Sequence, residues 1–143
     1  MKPPVPRLEW ISRATVAVAP AEILGRTPAG ERRVVAIQEG RFEGRITGNV
    51  LPGGADFQIV TDDGTSYLDA RYVVRTDDNA LIIVHNRGIR HGVIGADPSQ
   101  YYFRSSPQFE TGDERYFWLN KIVAVCSGAR TPETVLLDFY EVL

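Results

Sequence analysis

The sequence predicts an all-β fold, a single antiparallel β-barrel of about eight strands. Three observations carry this. No stretch of twelve or more residues shows a convincing helical period. Short runs rich in β-branched and aromatic residues recur, separated by turn chemistry such as Asp62-Asp63-Gly64 and Asp77-Asp78-Asn79. In the alternating run Phe42–Leu51, Gly44 and Gly48 fall on the apolar side with Phe42, Ile46 and Val50. Glycines so placed mark the bends of a closing barrel. Closure removes exposed edges, and a barrel of about eight strands can hold one small ligand.

The elements follow in order. Residues 1–7 are Pro-rich and read as an extended arm, with residues 8–143 as one domain. Leu8 to Val18 is a first strand, ended by Pro20. Ala21 to Leu24 reads as a helical turn or a short edge segment, and Gly25 to Gly30 as a loop. Arg32 to Gln38 is a second strand, and Glu39-Gly40 reads as a turn. Phe42–Leu51 alternates cleanly, and Pro52-Gly53-Gly54 makes a tight corner. Strands follow at Asp56–Thr61, Tyr67–Thr76 and Ala80–Asn86. Residues 87–100 read as a departing segment and a loop, Tyr101–Arg104 as extended, and Pro107–Glu114 as a polar connection. Tyr116–Val125 alternates and is assigned to a strand. Gly128–Glu133 turns the chain, and Val135–Val142 closes it.

Composition excludes several classes. The chain has 143 residues, 43% hydrophobic and 24% charged, with a formal net charge of −2. It carries no basic excess for nucleic acid and no run long enough for a membrane helix. The N-terminus lacks the apolar run of a signal peptide, so a cytoplasmic location is expected. The single cysteine, Cys126, lies in an apolar run and reads as a small buried hydrophobe. Two histidines, His85 and His91, without a cysteine pair make a poor metal set, so no metal is expected. Gly25–Gly30 is not followed by a helix, so no nucleotide fingerprint is present. No cofactor is expected.

The ionisable residues near the Pro52-Gly53-Gly54 corner are the candidate chemistry. Asp56 follows that corner at once. In Tyr67–Arg75, Tyr67, Asp69, Arg71, Val73 and Arg75 share one face, and Leu68, Ala70, Tyr72 and Val74 the other. The second set suits a core. The first meets water as a surface ion pair, or lines a polar cavity. The aromatic and polar residues Tyr102, Arg104, Tyr116, Trp118 and Asn120 also fit a cavity wall, or ordinary barrel core.

Together these residues resemble a family. The pattern comprises Gly48-Asn49-Val50-Leu51-Pro52-Gly53-Gly54-Ala55-Asp56, Asp69-Ala70-Arg71-Tyr72, Asn86-Arg87-Gly88, Tyr102-Phe103-Arg104, Phe109-Glu110-Thr111-Gly112, Trp118-Leu119-Asn120 and Tyr140-Glu141-Val142. It is similar to the bacterial and fungal "domain of unknown function 3237" family over about residues 8–143. The resemblance implies a small β-barrel similar to the allene oxide cyclase and dirigent type, and brings no assured activity.

The expected function is small-molecule binding, with metal-independent isomerase, cyclase or lyase chemistry on a small anionic or carbonyl-bearing metabolite. Asp56, Arg71 and Arg104 are the candidate catalytic residues: a carboxylate for proton transfer and planar guanidinium forks for negative charge. Tyr72, Tyr102, Tyr116, Trp118 and Asn120 are the candidate ligand-binding residues. The alternative is a non-catalytic binding barrel or an oligomeric structural barrel. The expected partners are a small-molecule ligand and a second copy of the chain in a homo-oligomer, with neither nucleic acid nor membrane.

Overall fold

The chain closes into an eight-stranded antiparallel β-barrel. In the computed structural model, residues 1–93 and 97–143 are described. Ten strands build it: β1 (Leu8–Val18), β2 (Glu22–Thr27), β3 (Gly30–Gly44), β4 (Gly48–Val50), β5 (Ala55–Val60), β6 (Ser66–Thr76), β7 (Leu81–Gly92), β8 (Tyr101–Glu110), β9 (Val123–Arg130) and β10 (Thr134–Val142). The order β1-β10-β9-β8-β7-β6 returns through β4 and β5 to β3, and β3 pairs back with β1. Strands β4 and β5 occupy one place in the ring, and β2 pairs with β3 beyond the end of β1.

Alternation of side chains fills the interior. On β6, Leu68, Tyr72 and Val74 are buried while Tyr67, Arg71 and Arg75 are exposed. Two bulges shift the pattern. One lies between Trp10 and Ser12 of β1, so that Ile11 and Ser12 are both buried. The other lies where the β1–β3 register steps at Ala17/Val18, opposite Ile37 and Glu39. The segment read as a turn, Glu39-Gly40, lies at that step. The strand continues through it, and a Cβ at Gly40 would come within 2.9 Å of the Thr15 carbonyl.

The interior divides into two ends. At the closed end, Phe42 and Phe139 stack with centroids 5.2 Å apart, and Phe109 packs on Phe139 at 5.8 Å. Leu119, carried on a 3-10 helix over Glu114–Lys121, and Ile46, on the loop between β3 and β4, cover this end. Ser12 holds that loop. Its hydroxyl donates to the Ile46 carbonyl at 2.8 Å and accepts from the Ile46 N–H at 2.8 Å, all buried. The other end is polar and contains the candidate site.

Several segments differ from the sequence reading. Tyr116–Lys121 is helical, and the strand begins only at Val123. Asp113 caps the helix by accepting from the Arg115 N–H at 2.9 Å, and local capping outweighs alternation there. Strand β7 continues to Gly92, and β8 runs through Pro107 to Glu110. Of the loop read at residues 93–100, positions 94–96 lie outside the described residues. Arg7 and Leu143 exchange two backbone hydrogen bonds of 2.9 and 2.8 Å.

Ser12→Ala leaves a buried N–H and a buried carbonyl of Ile46 unpaired, at a cost of about 2 kcal/mol. Phe42→Ala is expected to cost about 3–5 kcal/mol through the cavity it opens. Urea unfolding measures both. A Ser12→Ala variant as stable as the parent contradicts the account of the closed end.

Candidate functional site

The polar end of the lumen is built from β5, β7, β8 and β9. The corner between β4 and β5 sets its first residue. The Leu51 N–H donates to the Val73 carbonyl at 2.8 Å, and the Ile37 N–H donates to the Gly54 carbonyl at 2.9 Å. Gly53 turns the chain at φ 106°, a value open to glycine. A Cβ at Gly54 would lie 2.6 Å from the Tyr72 Cβ, so glycine lets the corner lie flat against β6. Asp56 then stands opposite Val35 and Ala70 and points inward. Its Oδ1 accepts from the Asp69 N–H at 2.8 Å, and its Oδ2 accepts from Gln58 Nε2 at 2.8 Å. Burial pushes the Asp56 carboxyl above the usual carboxylate range. The two hydrogen bonds, and more weakly Arg90, pull it back.

Arg90 is the second inward group. It is 7% exposed, and among the described residues its guanidinium has no ion-paired carboxylate. It lies over the Phe103 ring at 5.6 Å. Phe103 in turn lies on Gly128, where a Cβ would come within 2.7 Å of the ring. A glycine on β9 thus seats a ring on β8 that underlies an arginine on β7. Burial and the nearby Arg130 pull the Arg90 guanidinium down to about 10. Arg130 donates to the Thr131 and Pro132 carbonyls at 3.2 and 3.4 Å. Burial and Arg33 lower it too. Like charges gathered around one buried carboxyl favour an anion at this mouth.

Asp56, Gln58, Tyr72, Asn86, Arg90, Ser105 and Arg130 form the polar lining of a lumen cavity of about 60 Å³. A wider hollow of about 1020 Å³ lies on the outside of the barrel, over β6 to β9. There β8 and β9 pair only at Arg104–Ser127 and Ser105–Cys126. That hollow is open, and the histidine in it already has partners. His85 Nε2 is 2.6 Å from Asp69 Oδ1, and Arg71 donates to His85 Nδ1 at 3.3 Å. The enclosed lumen, with its unpaired arginine and buried carboxyl, is the better candidate despite its smaller volume.

The residues chosen from sequence separate accordingly. Asp56 and Tyr72 line the lumen. Arg71 and Arg104 do not join them. Both face outward, because strand parity pairs each with a core neighbour, Tyr72 and Phe103. Arg104 donates to the Phe103 carbonyl at 2.9 Å, and Tyr102 stacks on His91 at 5.1 Å on the outer face. Tyr116, Trp118 and Asn120 sit on the helix at the closed end. Tyr116 donates to Asp78 at 2.8 Å, Arg45 lies over Trp118 at 4.1 Å, and Asn120 exchanges two hydrogen bonds with the Thr111 backbone. Gln58, Asn86, Arg90, Ser105 and Arg130 were missed. Extending the alternation Ile82, Val84, Asn86 by two steps reaches Arg90, and Ala124, Cys126, Gly128 leads to Arg130. Among the described residues, no three His, Cys, Asp or Glu side chains gather to hold a metal ion. No helix among them is long and apolar enough to cross a membrane.

Comparison with known proteins shows the family. The profile of the family described as "Protein of unknown function (DUF3237)" matches residues 6–142. The chain belongs to that family. A UPF0311 protein from Clostridium acetobutylicum is 40% identical over 146 residues, covering 94% of this chain and 92% of its own. The crystal structure of a β-barrel-like protein from Acinetobacter baumannii aligns at a TM-score of 0.92 with 39% identity, covering 99% of each chain. A more distant relative is the hydroalkoxylation enzyme phnH of Penicillium herquei, 25% identical over 142 residues, or 99% of this chain and 87% of its own. A crystal structure of an enzyme from that fungus aligns at a TM-score of 0.79 with 25% identity, covering 100% of this chain and 98% of its own.

Asp56→Asn tests the burial argument. The folded protein holds the Asp56 proton at pH values where the unfolded chain, near 3.9, has lost it. Stability contributed by this group therefore falls as pH rises above about 3.9 through the raised folded value, then levels off. Asparagine keeps an acceptor for the Asp69 N–H and removes the charge. The variant is expected to melt at or above the wild-type Tm near pH 7, with a shallower decline across the acidic window. Thermal melts from about pH 3 to pH 8 measure this. A lower Tm at pH 7 with an unchanged slope would refute it.

Proposed function

We propose that this DUF3237 protein is a metal-independent proton-transfer enzyme of the isomerase, cyclase or lyase type. It acts in the barrel lumen on a small anionic or carbonyl-bearing metabolite. The observation that carries the reading is Asp56, an inward carboxyl whose proton affinity is raised by burial, close to an inward arginine without a carboxylate partner. A carboxylate of raised pKa is a stronger base and, once protonated, an acid usable nearer neutral pH. The named activity of the Penicillium relative, hydroalkoxylation, supports the class, since adding O–H across C=C only moves a proton and remakes bonds within the substrate.

On a hydroxyl-bearing enone the step balances as follows. Asp56 carboxylate takes the hydroxyl proton. The substrate oxygen forms a C–O bond to the β-carbon, and the C=C electrons move onto the carbonyl oxygen. Arg90, with Arg130 near it, stabilises that developing oxyanion. The Asp56 carboxyl then returns its proton to the α-carbon. Nothing is oxidised or reduced, and no group leaves. A non-catalytic binding barrel would use the same lining without turnover.

The test is cyclisation of a panel of small hydroxy-enones in deuterated water, followed by NMR. Wild type is expected to place deuterium at the α-carbon of the ring product. Asp56→Asn is expected to lower the rate by about 10²-fold or more, the usual range for loss of a general acid–base. An Asp56→Asn variant as active as wild type rules out the assignment, and a panel without turnover favours the binding barrel.

A further inference from the structure

The inner part of the lumen holds a second polar set that the proton-transfer step does not use. Tyr72 Oη, Asn86 Oδ1 and Ser105 Oγ are each buried and, apart from the weakly donating Cys126 thiol beside Asn86 and Ser105, have no hydrogen-bond partner in the protein among the described residues. Their residues are 5%, 6% and 8% exposed, and all three line the cavity. Buried polar groups are as a rule paired, so three orphans around one cavity require an explanation. They come from three adjacent strands, β6, β7 and β8, with Tyr72 and Asn86 on the inward faces that β6 and β7 share.

Their chemistry is specific. Asn86 Oδ1 only accepts, whereas the Tyr72 and Ser105 hydroxyls donate or accept. A ligand hydroxyl satisfies all of them: its proton goes to Asn86 Oδ1, and its oxygen accepts from Tyr72 and Ser105. An apolar end leaves them unpaired. The other side chains of the cavity wall, among them Val16, Ile37, Leu68, Phe103 and Leu137, are apolar. Asn86 and Arg90 are four residues apart on one strand, so their Cα atoms are about 13 Å apart.

We infer that the lumen selects a small hydroxylated organic anion, its anionic group at Arg90, its middle apolar and its hydroxyl received by Tyr72, Asn86 and Ser105. This rests on the lumen being the ligand site, and not on Asp56 being the proton-transfer group.

The experiment compares para-hydroxybenzoate and para-coumarate with benzoate and cinnamate, the same acids without the hydroxyl, by calorimetry and thermal shift. Wild type is expected to bind at least one hydroxylated acid about tenfold or more tightly than its partner, the effect of one buried hydrogen bond and its unpaired counterpart. Tyr72→Phe is expected to reduce that preference several-fold. Without ligand it is expected to raise the Tm by about 3 °C, because an unpaired buried hydroxyl is removed. Arg90→Met is expected to weaken all four acids alike. Acids that bind with equal affinity, each weakened by Arg90→Met, overturn the hydroxyl reading and leave the lumen site standing. Four acids that fail to bind, or binding that Arg90→Met does not change, overturn both. A Tyr72→Phe variant that melts lower without ligand shows a structural role for the hydroxyl, and overturns the inference even where the acids bind. The Asp56→Asn turnover result is independent of all these outcomes.

Discussion

Strand β3 is the seam on which the barrel depends. Over fifteen residues it pairs with β1, β2, β4 and β5, so it closes the ring and also holds β5, the strand that carries Asp56. Its first half faces β5, where Val35 stands opposite Asp56, and its second half faces β1 and β4. The change of partners occurs around Gly40, where close approach of the Thr15 backbone leaves no space for a side chain. A barrel needs tilt and local bending to close, and a bulge beside a glycine supplies both at one point. The register step there also sets which residues face the lumen on either side of it.

From that seam the two ends acquire opposite characters. The closed end is a stacked aromatic cluster under a helix and a loop, and its burial stabilises the fold. The polar end carries a carboxyl raised by burial and arginines lowered by it. Both shifts have the same physical cause, removal of a charge from water. They are opposed to stability and are sustained by the apolar end. Proteins place such strain where function needs it.

The sequence made the barrel legible because alternation and turn chemistry are local signals. Asp62-Asp63-Gly64 and Asp77-Asp78-Asn79 are turns in the structure, and Asn79 adopts a φ of 71° that asparagine tolerates. Features requiring non-local knowledge were less legible. A bulge looks like a turn at Glu39-Gly40, since both break parity. Tyr116-Phe117-Trp118 alternates like a strand, but a cap at Asp113 makes it helical. At the site, Asp56 stood out because it follows a marked corner. Arg90 did not, because its strand appeared to end four residues earlier. Arg71 attracted attention through its spacing from Asp69, yet that face turns outward to His85.

The helix and loop that shut one end have a consequence for traffic. With the floor shut, a molecule admitted past Arg90 and Arg130 would have to leave past the same charges. On the proposed reading, a product that kept its anionic group would then compete with the next substrate for the arginine mouth.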